Sequence, residues 1–152
     1  MPRYVVDTNV FIDVLRSPTE RQAYERFLRS SLPLCHMSAV VGMELLAGAR
    51  SSEHGLALES DLIGPFQRRG RVFEPSSAAL LSVGRILGGQ TRQARTLPPR
   101  SFINDLLIGA SCRERGLTLV TRDADFDRVR RLIPGLLVVA PYPEFRRSKT
   151  VG

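Results

Sequence analysis

Short apolar runs alternate with longer amphipathic segments along the 152 residues of the chain. A short apolar run bounded by polar residues is typical of a buried strand, whereas apolar residues spaced three and four apart predict a helix. The runs predict strands at residues 4–6, 32–37, 71–73, 117–120 and 136–139. The spacing predicts helices at 10–15, 19–30, 39–49, 52–69, 77–88, 101–115 and 124–132. Residues 89–100, which are polar and contain two prolines, predict a loop or a frayed helix end.

The order of these elements predicts the fold class. The strands at 4–6, 117–120 and 136–139 are apolar on both faces, which is typical of a parallel sheet covered by helices on both sides. We therefore expect an α/β fold in which residues 1–140 form a single domain and residues 141–152 an extended or loose tail. In such a sheet, ligands bind beyond the carboxyl ends of the strands.

Composition narrows the class of protein. With 43% hydrophobic and 24% charged residues, the chain is not intrinsically disordered. Cys35 and Cys112 stand in apolar surroundings without a CxxC partner, and His36 and His54 lack the spacing of zinc ligands, so we expect buried free thiols and no Cys/His metal site. Neither a membrane span nor a signal peptide is evident, which favours a cytoplasmic protein.

Positive charge is concentrated in the second half of the chain. Residues 1–76 contain nine basic and nine acidic side chains, whereas residues 77–152 contain thirteen basic and six acidic ones, which accounts for the net charge of +7. Because arginine suits bidentate phosphate contacts, this half is a candidate nucleic-acid surface. An arginine-rich coding bias with a merely solvated basic face is the alternative. The candidate RNA-binding residues are Arg85, Arg92, Arg95 and Arg100.

Two acidic residues directly follow predicted strands. Asp7 follows the first strand, and Asp123 follows the strand at 117–120. If these strands are neighbours, the two carboxylates lie side by side, although each could instead cap the next helix. We expect Asp125 and Asp127, in the same acidic run, to be surface residues.

Two other acids are isolated in apolar segments. Glu44 is the only charged residue between Ser30 and Ala49, and Asp105 is the only one between Ser101 and Cys112. Burying a carboxylate is costly, so Glu44 requires a cationic partner or a cleft. Asp105 lies at the rim of an apolar helix stripe and could simply complement the helix dipole.

Together these positions indicate a metal-dependent hydrolytic site. Four carboxylates from four segments repel one another, and oxygen ligands from Asp and Glu select Mg²⁺ or Mn²⁺ rather than zinc. Such an ion beside an arginine-rich surface is the arrangement expected for cutting a phosphodiester with activated water.

Four segments resemble the motifs of the PIN-domain ribonucleases, specifically the toxin subunits of VapBC toxin–antitoxin pairs. These segments are VVDTNVFIDVL, SAVVGMELLAGA, NDLLIGASCRERG and LTLVTRDADFDRV, and they span the chain to about Val139. The resemblance assigns the catalytic and metal-binding acids to Asp7, Glu44, Asp105 and Asp123, with Thr8, Asn9 and Thr121 as supporting residues. Asn104, just before the third acid, has no assigned role.

The resemblance implies a three-layer α/β/α sandwich with a mainly parallel central sheet. It also implies a Mg²⁺- or Mn²⁺-dependent endoribonuclease, an RNA substrate, a homodimer, and a cognate antitoxin whose tail lies over the acidic groove. A housekeeping PIN-type RNA-processing nuclease and a catalytically inactive RNA-binding or interaction module remain alternatives. A receiver domain needs a lysine after its last core strand, and it is excluded because the only lysine of this chain is Lys149, in the tail. A haloacid-dehalogenase-like phosphatase needs the motif DxDxT after its first strand, and it is excluded because the corresponding segment here is DTNVF.

Overall fold

Five parallel strands form the central sheet of the computed structural model, which describes residues 1–144. The strand order is β3-β2-β1-β4-β5, so β1 lies in the middle. The tail predicted at residues 141–152 therefore lies mostly outside the described residues. The strands are β1 Tyr4–Val6, β2 Cys35–Ser38, β3 Val72–Phe73, β4 Thr118–Val120 and β5 Leu137–Val139.

Helices connect successive strands, as parallel pairing requires. The right-handed crossover rule assigns the helices before β3 to one face and those after it to the other, which gives the predicted three-layer sandwich. The helices are α1 Thr8–Arg16, α2 Pro18–Ser31, α3 Ala39–Ala47, α4 Ser52–Leu58, α5 Gly64–Gln67, α6 Ser77–Ala94, α7 Arg100–Glu114 and α8 Asp125–Leu132.

The strand order positions the site. From β1 the chain moves outward to β2 and β3, and it then returns to build β4 and β5 on the other side of β1. The connections that leave β1 and β4 therefore diverge, which opens a crevice at the carboxyl ends of these two neighbouring strands. Asp7 follows β1 directly, and its backbone N–H donates a 3.0 Å hydrogen bond to the carbonyl of Val120 at the end of β4.

Three predicted elements differ from the structure. Residues Leu32–Leu34 form a 3₁₀ turn rather than the start of a strand, since Pro33 has no N–H for a sheet ladder. Helix α6 was predicted to end near Gly88 and to be followed by a loop or a frayed helix end, but it continues through residues 89–94, because Gln90 to Ala94 are mostly good helix formers. Strand β5 is an exposed edge, with Leu137 57% exposed, rather than a strand buried on both faces.

The segment predicted as one helix over residues 52–69 is interrupted. Residues Glu59–Ile63 form a π-helical turn between α4 and α5. Pro65 follows this turn, and its ring lacks the N–H that a regular α-helix would use there.

The core lies on both faces of the sheet and includes the two thiols. Cys35 and Cys112 are buried and free, as predicted. Tyr4 packs edge-on against Phe27 of α2, and the ring of Tyr142 lies 5.4 Å from that of Phe27. Within residues 1–144, no helix is long and apolar enough to cross a membrane.

Candidate active site

Asp7 caps helix α1 and also lines the crevice between β1 and β4. One carboxylate oxygen accepts the backbone N–H of Thr8 at 2.8 Å, and the other accepts the hydroxyl of Thr121 at 2.9 Å. Asp7 is only 2% exposed. The pKa of Asp7 is raised to about 6, because the effect of burial, together with the charges of Asp123 and Glu44, outweighs the lowering by the two hydrogen bonds.

Thr121 connects Asp7 to Asp123. While its hydroxyl donates to Asp7, its oxygen accepts the backbone N–H of Asp123 at 3.0 Å. The side-chain amide of Asn9 donates a 2.6 Å hydrogen bond to Asp123 Oδ2. The supporting residues Asn9 and Thr121 thus fix the relative positions of the acids that follow β1 and β4.

Glu44 on α3 is held by neutral donors rather than by a cation. The hydroxyl of Thr8 donates to Oε1 at 2.7 Å, and the side-chain amide of Asn104 donates to Oε2 at 3.3 Å. Glu44 also borders a cavity between α1, α3 and α4. It therefore opens into a cleft, which is one of the two arrangements that its isolation in the sequence requires.

Asp105 on α7 faces a cluster of acids. Carboxylate oxygens of Asp105, Asp123 and Asp125 all lie within 4.8 Å of one another. The pKa of Asp105 is raised to about 8, first by burial and then by the charges of Asp7, Asp123, Glu44 and Asp125. The carboxyl of Asp105 is therefore largely protonated at neutral pH unless a cation compensates the surrounding charge.

This donor set fits a hard divalent cation. Three carboxylates converge without a neutralising guanidinium or ammonium group among the ion pairs of residues 1–144. Carboxylate oxygens are the ligands that Mg²⁺ and Mn²⁺ prefer. Of the four predicted acids, Asp105 and Asp123 belong to this group, whereas Asp7 and Glu44 border it and raise the pKa of Asp105.

The sequence prediction missed two residues of this site. Asp125, expected to be an ordinary surface residue, belongs to the acidic group, and its backbone N–H donates to Asp123 Oδ1 at 2.9 Å. Asn104, which had no assigned role, is 7% exposed and contacts Glu44. The D-x-D spacing of Asp123 and Asp125 directly after a strand is the sequence signal that could have identified Asp125. Asp127 is exposed and lies outside the group.

The four arginines predicted to contact RNA all lie on the surface. Arg85 and Arg92 project from α6 and border a shallow groove with Leu80 and Leu81. Arg95 ends α6 with a left-handed backbone (φ 58°), and Arg100 begins α7. None of the four forms an ion pair with another residue of the described part of the chain.

Known structures share this architecture. A chain of the DNA-bound VapBC complex from Salmonella typhimurium aligns with a TM-score of 0.67 at 23% identity, covering 92% of this chain and 98% of that chain. A chain of VapBC2 from Rickettsia felis, bound to a fragment of its promoter DNA, aligns with a TM-score of 0.63 at 19% identity, covering 90% and 97%. VapBC-1 from nontypeable Haemophilus influenzae gives a TM-score of 0.63 at 22% identity, covering 90% and 96%.

The sequence also matches a family model. No curated protein sequence shows significant similarity to the chain. The model of the PIN domain, however, matches residues 4–132, which include Asp7, Glu44, Asp105 and Asp123. Because this match covers most of the chain, the predicted resemblance is confirmed, and the protein belongs to the PIN-domain family.

Proposed function

We propose that this protein is a Mg²⁺- or Mn²⁺-dependent endoribonuclease that acts in the cytoplasm as the toxin of a VapBC-type toxin–antitoxin pair. The observation that carries the catalytic proposal is the convergence of Asp105, Asp123 and Asp125 within 4.8 Å, at the crevice between β1 and β4. Membership of the PIN-domain family supports nuclease chemistry at this position.

The three converging carboxylates would hold the ion. A divalent cation supplies charge that lowers the pKa of water and stabilises negative charge on the leaving oxygen of a phosphodiester. No serine or cysteine nucleophile is required, and the two cysteines are buried away from solvent. The substrate then needs only to place its phosphate beside the acidic group.

The remaining residues of the site maintain its geometry. Thr121 donates to Asp7 and accepts from Asp123, so that these two acids keep their spacing. Thr8 and Asn104 hold the two oxygens of Glu44 and leave its charge beside the acidic group. Neutral donors of this kind orient carboxylates without cancelling the charge that attracts the ion.

The proposed partner is a small antitoxin. The aligned structures from Salmonella typhimurium and Rickettsia felis are VapBC complexes bound to DNA, which favours the toxin role over a housekeeping RNA-processing nuclease. We propose that the antitoxin covers the acidic groove and that the active protein is a homodimer. RNA rather than DNA is the proposed substrate because the chain resembles the PIN-domain ribonucleases, and the net charge of +7 suits either nucleic acid.

A cleavage assay tests the catalytic proposal. Purified protein incubated with total RNA should produce discrete fragments with Mg²⁺ or Mn²⁺ and none with EDTA. Expression without an antitoxin should arrest growth. RNA that stays intact with either metal, at a protein concentration that binds it, would make the inactive binding module the better description.

A further inference from the structure

A cavity of about 410 Å³ adjoins the acidic site on the side of Glu44. Thr8 and Glu44, which share a 2.7 Å hydrogen bond, belong both to this cavity and to the site. The cavity continues along α1 as far as Arg16. Thr8 and Arg16 are eight positions apart on α1, so the cavity extends roughly 12 Å from the site along this helix.

Three basic side chains border this cavity. Arg16 ends α1, Arg50 follows α3, and His54 lies in α4. Neither arginine forms an ion pair with another residue within 1–144. The backbone N–H of Arg50 donates a 3.1 Å hydrogen bond to His54 Nδ1, so this nitrogen carries a lone pair and Nε2 is the ring donor. The cavity therefore presents hydrogen-bond donors that suit an anion.

Its walls are aliphatic. Ile12 lies one turn after Thr8 on α1, and the buried Leu45 and Leu58 contribute from α3 and α4. The volume is within the range of about 300–1,000 Å³ that is usual for small-ligand sites. An apolar wall with donors near it suits a group that combines a flat apolar body with a negative charge.

We propose that this cavity is an RNA subsite that binds a nucleotide next to the phosphate being cleaved. Arg16 and Arg50 contact the phosphate of this nucleotide, and the base lies against the aliphatic wall at Ile12. The inference rests on the proposed nuclease function, because it takes the acidic group as the position of the cleaved phosphate. Thr8 and Glu44 belong to both the cavity and the site, so an RNA chain bound at the acidic group continues beside Arg16 and Arg50, whose guanidinium groups can bind its phosphate bidentately.

Charge-removing variants test the phosphate contacts. We would measure binding of a fluorescein-labelled, 2′-O-methylated RNA decamer of randomised sequence in Mn²⁺, with the full-length protein. Arg16→Gln and Arg50→Gln should each weaken binding about tenfold. Each should also flatten the slope of log affinity against log salt by about 0.7. Arg29→Gln, which removes an exposed arginine of α2 away from the cavity, is the matched control and should change neither.

Filling the cavity tests the base contact without changing any charge. Gly48 borders the cavity with φ −84°, and a Cβ added there would lie 3.5 Å from the nearest atom. Gly48→Ala should therefore be tolerated, whereas Gly48→Leu should occupy the space for the base. We expect Gly48→Leu to raise the RNA concentration at half-maximal cleavage at least several-fold, whereas Gly48→Ala should stay close to wild type.

The outcomes separate this proposal from the function on which it rests. If the wild type cuts RNA and the Arg16, Arg50 and Gly48→Leu variants bind and cut it equally well, the subsite is wrong and the nuclease proposal stands. If those variants keep RNA affinity but lose a protein partner, the cavity is a protein-binding groove and the subsite is also wrong. A wild type that neither binds nor cuts RNA overturns the nuclease proposal, and the subsite with it.

Discussion

The hydroxyl of Thr121 donates a 2.9 Å hydrogen bond to Asp7 Oδ2, which joins the residue after β1 to the residue after β4. This bond is buried, and it keeps a carboxylate with a raised pKa at the floor of the crevice. It reduces but does not remove the cost of ionising Asp7 there, because burial is the larger effect on its pKa.

We predict that the metal-free protein loses stability as the pH rises from about 4 to about 8. The pKa of Asp7 rises from 3.8 to about 6 on folding, and that of Asp105 rises to about 8. In this window the folded state binds more protons than the unfolded state, so the free energy of unfolding falls with pH. Denaturant titrations with EDTA at pH 5 and pH 8 measure the difference, and Mn²⁺ should restore stability at pH 8 by binding only the folded state.

Asp7→Asn should raise the stability of the metal-free protein at pH 8. Asparagine can still cap α1 through its Oδ1, its Nδ2 can donate to the hydroxyl oxygen of Thr121 in place of the lost acceptor, and it carries no charge to bury. For Asp7, the difference between 3.8 and about 6 corresponds to roughly 3 kcal/mol, which is the upper limit of the gain. Asp61→Asn, an exposed acid away from the site, should change little. Destabilisation by Asp7→Asn at pH 8 would show that the charged form of Asp7 is favourable in the folded protein.

Asp105→Asn should abolish RNA cleavage while the fold and RNA binding are retained. The substitution is nearly isosteric and replaces an anionic ligand by a neutral one. Binding should stay the same or tighten, because a negative charge facing phosphate is lost. The matched control is Asp127→Asn, which removes an exposed acid outside the acidic group. Equal loss of cleavage in both variants, or full activity in the first, would argue against a specific role of Asp105.

The sequence predicts the sheet and the positions of the acids that follow β1 and β4 because both depend on local patterns. Apolar strands that end in an acid, such as β1 before Asp7, place that acid at a sheet edge whatever the helices do. Asn104 was missed because α7 is buried on several sides. Phe102 and Asn104, on different sides of the helix, are both buried, so no single apolar stripe marks its inner face. The contact of Asn104 with Glu44 joins residues sixty positions apart, and no pattern within one segment carries that information.

Asn104→Leu should weaken the site without unfolding the protein. Leucine fills a similar volume, but Glu44 Oε2 loses its 3.3 Å hydrogen bond and keeps only the one from Thr8 to Oε1. Loss of a residue that orients a direct metal ligand typically costs about 10–100-fold in metal affinity or activity, and because Glu44 borders the acidic group we expect an effect at or below the lower end of that range. We expect a higher Mn²⁺ concentration at half-maximal cleavage, with an unchanged circular dichroism spectrum. Asn104→Gln, which keeps the amide, should retain more activity. Identical Mn²⁺ dependence in the wild type and Asn104→Leu would show that Glu44 does not need this donor.

The exposed arginines of α6 and the start of α7 should contribute to RNA binding through charge alone. Arg85, Arg92, Arg95 and Arg100 form no ion pairs among residues 1–144, so their charge is available to phosphates. Each Arg→Gln variant should flatten the slope of log RNA affinity against log salt by up to about 0.7, without changing the cleavage rate at saturating RNA. The Arg29→Gln variant of α2 again provides the control.

Adding Leu81→Ser to this series of variants shows whether the α6 surface binds RNA or a protein. Arg85 and Arg92 share their groove with Leu80 and Leu81, which are 50% and 64% exposed, and a paired apolar and basic face also suits a protein partner. If this surface binds RNA, the arginine variants should alter the salt dependence of RNA affinity, and Leu81→Ser should leave RNA affinity unchanged. Unchanged slopes in all four arginine variants, together with loss of self-association in Leu81→Ser measured by sedimentation, would assign α6 to contact with a second copy of the chain.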